Sequence, residues 1–414
     1  MRKKKEIHFF FRIGSVSVIL GAVTVLGAIT SIILGRYLTP EDFGHFGLFR
    51  TCILFVAPVS LLGQDIAAVR FFSKNGLENF RWKKKFSLIM LICMMVTLVA
   101  VIVIRFIYDF TIPLLTLLLP TIIFFAMTIY LANLLRSQGK YTQAVLLLNG
   151  YKAVFLVSVL ALYFTARLSL HFTMSAFVFA VIINGLILLI LVFFKVKEGM
   201  EAIPSILQKS GLLFLGFHLC VHLFASLDVF VLSHYLDFAS VGIYMATLVP
   251  TQIFMVIAKS AKFVWIPEYS KSNSTMFFKG NLFIFLGAIA LFVLYCFFAH
   301  DIMFFLYKDK YSGVEMLVRI LAAASLMRLF YNLGSSVIVG RLSFKAMQMH
   351  LIMNVLAIIV YLVFLYFGIN RWQVTGAAFA LLAIMILRSL FTMIIIRYFS
   401  QTQNNDDLDA LPIS

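Results

Sequence analysis

Stretches of about 20 apolar residues follow one another along this chain, joined by short connections, and they constrain the fold more than any other feature. A helix of about that length crosses roughly 30 Å of hydrocarbon, and inside lipid every backbone N–H and C=O has to be bonded within the structure. A strand of a membrane barrel alternates apolar and polar positions over about ten residues. Here the runs are unbroken, as in LLTLLLPTIIFFAM. The pattern predicts an all-α membrane protein of about twelve transmembrane helices. They are expected over 13–34, 44–72, 86–107, 113–135, 143–165, 172–194, 210–233, 240–262, 277–299, 314–339, 346–368 and 374–397.

Composition agrees. Of the 414 residues, 63% are hydrophobic and 12% charged. A soluble domain carries about 25% charged residues, so half that leaves too little polar surface to face water. Arg2 to Lys5 resemble the start of a signal peptide, but no small-residue cleavage site follows, and the first apolar run is expected to be a retained span. Cys52, Cys93, Cys220 and Cys296 all fall inside spans and read as small packing residues, with no CxxC pair or disulfide framework.

The net charge of +17 is a topology signal. About 22 of the Lys and Arg fall at the N-terminus, in the even-to-odd connections and at the C-terminus, and about 6 in the opposite connections. The first set includes MRKKKEIHFFFR, KNGLENFRWKKK and KVKEGMEAIPSILQKS. Basic residues collect on the cytoplasmic side. Both termini are therefore expected in the cytoplasm, with the basic excess drawn to anionic headgroups of the bilayer and no nucleic-acid partner. The tail 401–414 is short and polar, and is expected to be disordered.

The chain also repeats itself. LGRYLTPEDFGHF from Leu34 and LSHYLDFASVGIY from Leu232 align without gaps, pairing Tyr37 with Tyr235, Gly44 with Gly242 and Phe46 with Tyr244. The ends of spans 2 and 8 match with one residue of slip, FFSK to Lys74 and EYSK to Lys271. Six spans per half predict two lobes of like orientation, 1–200 and 201–400, related by a pseudo-two-fold axis along the membrane normal. In such proteins the substrate site lies between the halves, which rock to give alternating access.

ILGRYLTPEDFGHFGLF followed by GQDIAAVRFFSK resembles the first helical hairpin of Wzx-type polysaccharide flippases, of the multidrug/oligosaccharidyl-lipid/polysaccharide exporter superfamily. LDVFVLSHYLDFASVGIYMATL and WIPEYSK resemble its seventh and eighth spans. The motifs cover about a quarter of the chain and the span count all of it. The resemblance implies a V-shaped, two-lobed, MATE-like fold with a central cationic cavity. It implies a substrate of oligosaccharide on undecaprenyl diphosphate, the bacterial inner membrane as location, and an O-antigen or capsule type of product. Polysaccharide polymerase and chain-length proteins are implied as candidate partners. Lipid II flippases of the superfamily usually carry extra spans, and this chain departs from that count.

A charge at the bilayer centre costs at least about 2.5–3.5 kcal/mol, so such residues face a cavity or a partner. Lys152, Arg328 and Arg388 fall near the middles of spans 5, 10 and 12, and Arg50 in the outer third of span 2. None of the three central cations has an obvious acidic partner on its own helix. An anion such as a diphosphate would balance them. Arg319, nine residues before Arg328, points to the opposite face. Asp65 and Arg70 are five apart, a poor helical pair. They are expected at a kink near Gly63, pairing across helices, in a gating or coupling role. Asp228 is a candidate counter-ion or coupling site. His218 and His222 share one helix face but lack the Glu of HExxH and a third ligand, so an interhelical hydrogen-bonded pair is the favoured reading, with proton coupling open. Pro58 and Pro250 are ordinary membrane prolines or hinges.

The reading is a flippase and not an enzyme, with no cofactor and an unassigned coupling ion, H⁺ or Na⁺. No P-loop is present for ATP hydrolysis. Two other readings stay open: a multidrug cation antiporter of the same superfamily, which needs a deep carboxylate, and an envelope polysaccharide polymerase or ligase, which needs a long outer loop.

Overall fold

A computed structural model of the chain describes the backbone of residues 2–201, 206–269, 276–341 and 344–402. It describes side chains within 18–73, 75–201, 214–216, 218–258, 284–338 and 345–399. The sequence match ending at Lys74 and Lys271, and the tail beyond Thr402, lie outside the described side chains.

Apolar side chains without β-strand alternation fold as helices: α1 (Arg2–Tyr37), α2 (Pro40–Ser60), α3 (Gln64–Asn75), α4 (Trp82–Tyr108), α5 (Ile112–Ser137) and α6 (Tyr141–Phe164). They continue as α7 (Leu170–Lys195), α8 (Ile206–Tyr235), α9 (Phe238–Tyr269), α10 (Met276–Tyr307), α11 (Glu315–Arg341) and α12 (Phe344–Thr402). Among the described residues, 11 helices are long and apolar enough to cross a membrane. One of them, α12, holds two of the expected spans. Its backbone leaves helical geometry at Trp372 and Gln373, the latter with φ +48°. Arg388 then bonds back to Asn354, and Ile395 packs with Ala346, so 344–371 and 374–402 form an antiparallel hairpin.

The second span is not one helix over 44–72. Thr39 caps α2 by accepting the Asp42 N–H at 3.0 Å, and Pro40 supplies the first turn. The helix ends two residues after Pro58. Leu62 (φ +49°) and Gly63 (φ +70°) take the left-handed conformation, which a β-carbon disfavours, and α3 starts afresh. Pro250 has the opposite outcome. A proline leaves the carbonyl four residues back without its donor. That carbonyl, of Ala246, accepts the Tyr307 hydroxyl at 3.2 Å, and α9 runs on to Tyr269.

The repeat reappears in the helix ends. The α1–α2 junction (Tyr37 to Pro40) recurs 198 residues later as the α8–α9 junction (Tyr235 to Phe238). Asp237, the equivalent of Thr39, caps α9 by accepting the Ser240 N–H at 2.9 Å, and its hydrogen bonds with Ser240 hold its carboxyl below the ordinary range. The two junctions also touch. A β-carbon on Gly44 would strike the Phe238 carbonyl, and one on Gly242 would strike the Pro40 carbonyl. The contact is reciprocal, as around a local two-fold axis. Backbone cannot yield as a side-chain tip does. Gly44→Val and Gly242→Val are each expected to lower stability by about 1–3 kcal/mol, read as earlier thermal unfolding in detergent. A variant that unfolds with the wild type would show that the junctions are free to part.

By its contacts the chain divides into Met1–Gly242 and Ile243–Ser414. In the first unit α8 packs on α2 and α3. Phe46, Tyr151, Phe155 and Phe177 pair at centroid distances of 5.1–5.9 Å, locking α2, α6 and α7 together. Two basic connections are stitched side by side: Arg81 N–H bonds Glu201 O at 2.9 Å, Gly199 N–H bonds Phe80 O at 3.1 Å, and buried Trp82 donates to Lys197 O at 3.1 Å. The α3–α4 and α7–α8 connections therefore lie at the same end of the bundle, as the charge alternation requires. In the second unit α11 lies along α12.

Candidate functional site

In the first unit two of the intramembrane cations meet on one helix. Gly27 and Ser31 are one turn apart on the same face of α1. The Lys152 stem, from α6, lies 3.5 Å from where a Gly27 β-carbon would stand. Arg50, from α2, donates from Nη1 to Ser31 Oγ at 3.3 Å. Tyr151 is close to both, with the Lys152 ammonium 6.0 Å from its ring and Arg50 within electrostatic reach of its hydroxyl. Both cations are half-buried. A helical turn rises about 5.4 Å, so the Lys152 stem and the Arg50 guanidinium reach α1 about one turn apart. The aromatic cluster below fixes α6 against α2 and so fixes the pair.

The acidic residues of this unit separate. Asp65 is 1% exposed, in the first turn of α3. Its Oδ2 accepts from Asn133 Nδ2 of α5 at 3.0 Å and stands 3.9 Å from His218 Nε2 of α8. Arg70 is exposed and is not brought to it. Asp65 thus pairs across helices, as expected, through Asn133 and His218. Asp228 is buried on α8, with Oδ1 accepting the Val229 N–H at 2.9 Å. His218 and His222 have ring centroids 5.6 Å apart. Among the described residues no group of three His, Cys, Asp or Glu is placed to hold a metal.

The second unit carries the other two cations. Arg388 is buried, with its guanidinium 3.7 Å over the Tyr331 ring. Its Nε and Nη2 donate to Asn354 Oδ1 at 3.1 and 2.9 Å, and the Tyr331 hydroxyl donates to the same oxygen at 3.0 Å. His350 extends the network to Ser335 at 3.2 Å. The cavity beside them is about 10 Å³, room for roughly one water. It is too small for a diphosphate. In this arrangement Arg388 holds the α12 hairpin to α11. Arg328 is half-buried on α11 and Arg319 is exposed. Sequence reasoning missed Asn133, Tyr331, His350 and Asn354. Their signal was polarity within apolar runs, where a neutral side chain stands out less than a charge.

In sequence, residues 12–273 match the family described as polysaccharide biosynthesis protein, more than half of the chain. The chain belongs to this family. No curated protein matches it. Among solved structures it is similar to the lipid II flippase MurJ in an inward closed conformation, with TM-score 0.71 and 16% identity over 92% of this chain and 87% of that one. It is also similar to an inward-facing multidrug resistance MATE transporter of the MOP superfamily, with TM-score 0.68 and 13% identity over 94% and 99%. A MOP superfamily transporter from Pyrococcus furiosus, whose binding pocket is described as of reverse polarity, gives 0.64 and 14% over 95% and 96%. At such identities the likeness is one of fold. The polysaccharide biosynthesis match takes in Arg50, Asp65, Arg70, Lys152 and Asp228, while Arg328 and Arg388 lie beyond it.

Proposed function

We propose that this protein is a flippase for oligosaccharide repeat units carried on undecaprenyl diphosphate, moving them from the cytoplasmic to the outer leaflet of the bacterial inner membrane by alternating access. Both termini face the cytoplasm in this reading, on the strength of the basic connections. The lobes are 1–200 and 201–400, on the strength of the repeat. No covalent step is involved. The observation that carries the proposal is the pairing of Arg50 and Lys152 on one face of α1, in a membrane protein of the polysaccharide biosynthesis family. Two cations in a low-dielectric bundle favour an anion, and a diphosphate offers several oxygens to an Arg fork. Arg328 is the candidate in the second unit. Arg388 is assigned the weaker part, because Asn354 and Tyr331 already engage it. Polymerase and chain-length proteins are the expected partners of a product of O-antigen or capsule type.

The second reading, a cation antiporter, is favoured by buried Asp65, which is the acid such chemistry needs. One experiment separates them. Purified protein in proteoliposomes is given an undecaprenyl-diphosphate-linked oligosaccharide, and a membrane-impermeant probe reports headgroup exposure. Protein-dependent exposure is the expected result. Absence of exposure with several sugars, together with efflux of a cationic dye, would establish the antiporter instead.

A further inference from the structure

Among the described residues near the break in the second span, Asp65 Oδ1, His218 Nδ1 and the Tyr130 hydroxyl oxygen are buried without a hydrogen-bond partner. They come from α3, α8 and α5. Tyr130 shares a face of α5 with Asn133, which bonds the other Asp65 oxygen, and lies within electrostatic reach of the carboxylate. This acid is 1% exposed, with Asn133 on one oxygen, the backbone N–H groups of Asp65 and Ile66 close to the carboxyl, and an imidazole 3.9 Å away. Burying a carboxylate is costly unless it is paired and fully hydrogen-bonded. A proton removes the cost in either of two positions, on an Asp65 oxygen or on His218 as an ion pair.

We propose that Asp65 and His218 form a proton site that holds one proton between them, and that its release opens the Leu61–Gly63 break between α2 and α3. The proton rests on an Asp65 oxygen or on His218 Nε2, which at 3.9 Å exchange it through a water rather than directly, and it leaves to water. No bonds change other than O–H and N–H. Once it has left, a net negative charge stands among α3, α5 and α8, and hydration of Asp65 becomes the favourable outcome. Asp65 lies two residues from Gly63 (φ +70°), so a shift of α3 is absorbed at that junction.

Among the described residues, the titratable groups beside the pair on the helices that pack against α3 are these. From α5 comes Tyr130. From α8 come His218 and, one turn on, half-buried His222 with its ring 5.6 Å away. The short 3₁₀ turn Leu77–Asn79 meets the far end of α3, and Arg70 is exposed. In this proposal the proton is bound in the closed arrangement and released on opening, so low pH closes the break and high pH opens it. Coupling of that release to transport rests on the flippase reading; the proton site itself does not.

Amide hydrogen exchange of the full chain in proteoliposomes, without substrate, tests it. After correction for the intrinsic pH dependence of exchange, protection of residues 61–66 is expected to fall as pH rises. One proton permits at most about a tenfold change in opening per pH unit. Asp65→Asn is expected to be flat and protected, and His218→Gln to keep the slope but displace it along the pH axis. A flat wild-type profile, or an Asp65→Asn profile that keeps the wild-type slope, would overturn the proposal. Should Asp65→Asn fail to fold, the wild-type slope and its displacement in His218→Gln decide. Headgroup exposure at one fixed pH reports the flippase reading separately, so either can fail while the other stands.

Discussion

Proteoliposomes carrying Arg50→Ala together with Lys152→Ala are expected to lose translocation of the lipid-linked diphosphate by about a hundredfold or more at sub-saturating substrate. A hydrogen bond to a charged group contributes about 1.5–3 kcal/mol, and each 1.4 kcal/mol is about tenfold in affinity. Both side chains are half-buried, so the lower end of that range applies. Arg50→Lys tells charge from geometry. It keeps the cation but removes the planar fork that reaches both Ser31 and a phosphate oxygen. A partial loss there, between wild type and Arg50→Ala, is the expected outcome. Translocation that survives the double substitution would keep the function and remove the α1 face from its path. The same assay on Arg328→Ala then tests the cation of the second unit.

Asn354→Leu is expected to destabilise the protein by about 2–4 kcal/mol, because it leaves a buried guanidinium without the oxygen that takes two of its N–H groups. Thermal unfolding in detergent measures this. The companion variant is Asn354→Leu with Arg388→Met. Replacing both members of a buried polar pair by apolar groups of similar shape is close to neutral, whereas removing one is not. The double variant should therefore recover most of the loss. It should also translocate substrate, if Arg388 serves the α12 hairpin. Recovered stability with lost translocation would return Arg388 to the substrate path.

Some of this architecture was legible from local chemistry. Segments of apolar residues long enough to span lipid had to be helices, and the structure places helices over the expected spans. The Leu34 and Leu232 strings foretold junctions that recur with the same offset. The kink near Gly63 was expected, but not that Leu62 and Gly63 would split the span into α2 and α3. Helical periodicity continues across a break that two positive φ angles create. The hairpin within α12 was legible as two spans, because Asn370, Arg371 and Gln373 interrupt the apolar run.

The charged residues of the candidate site were legible in the sequence, and their partners were not. A charge in an apolar run advertises itself, so Arg50, Lys152, Asp65 and Arg388 stood out at once. Which of them is left for a ligand depends on neutral groups brought in from other helices: Ser31 beside Arg50, Asn133 beside Asp65, Asn354 and Tyr331 around Arg388. The sequence by itself determined the solvent, the spans, the repeat and the presence of buried charge, since each follows from the cost of exposing polar groups to hydrocarbon along one segment. Only the tertiary structure decided how those charges are satisfied, because a hydrogen bond between helices is fixed by packing distance and direction, which no spacing within one helix encodes.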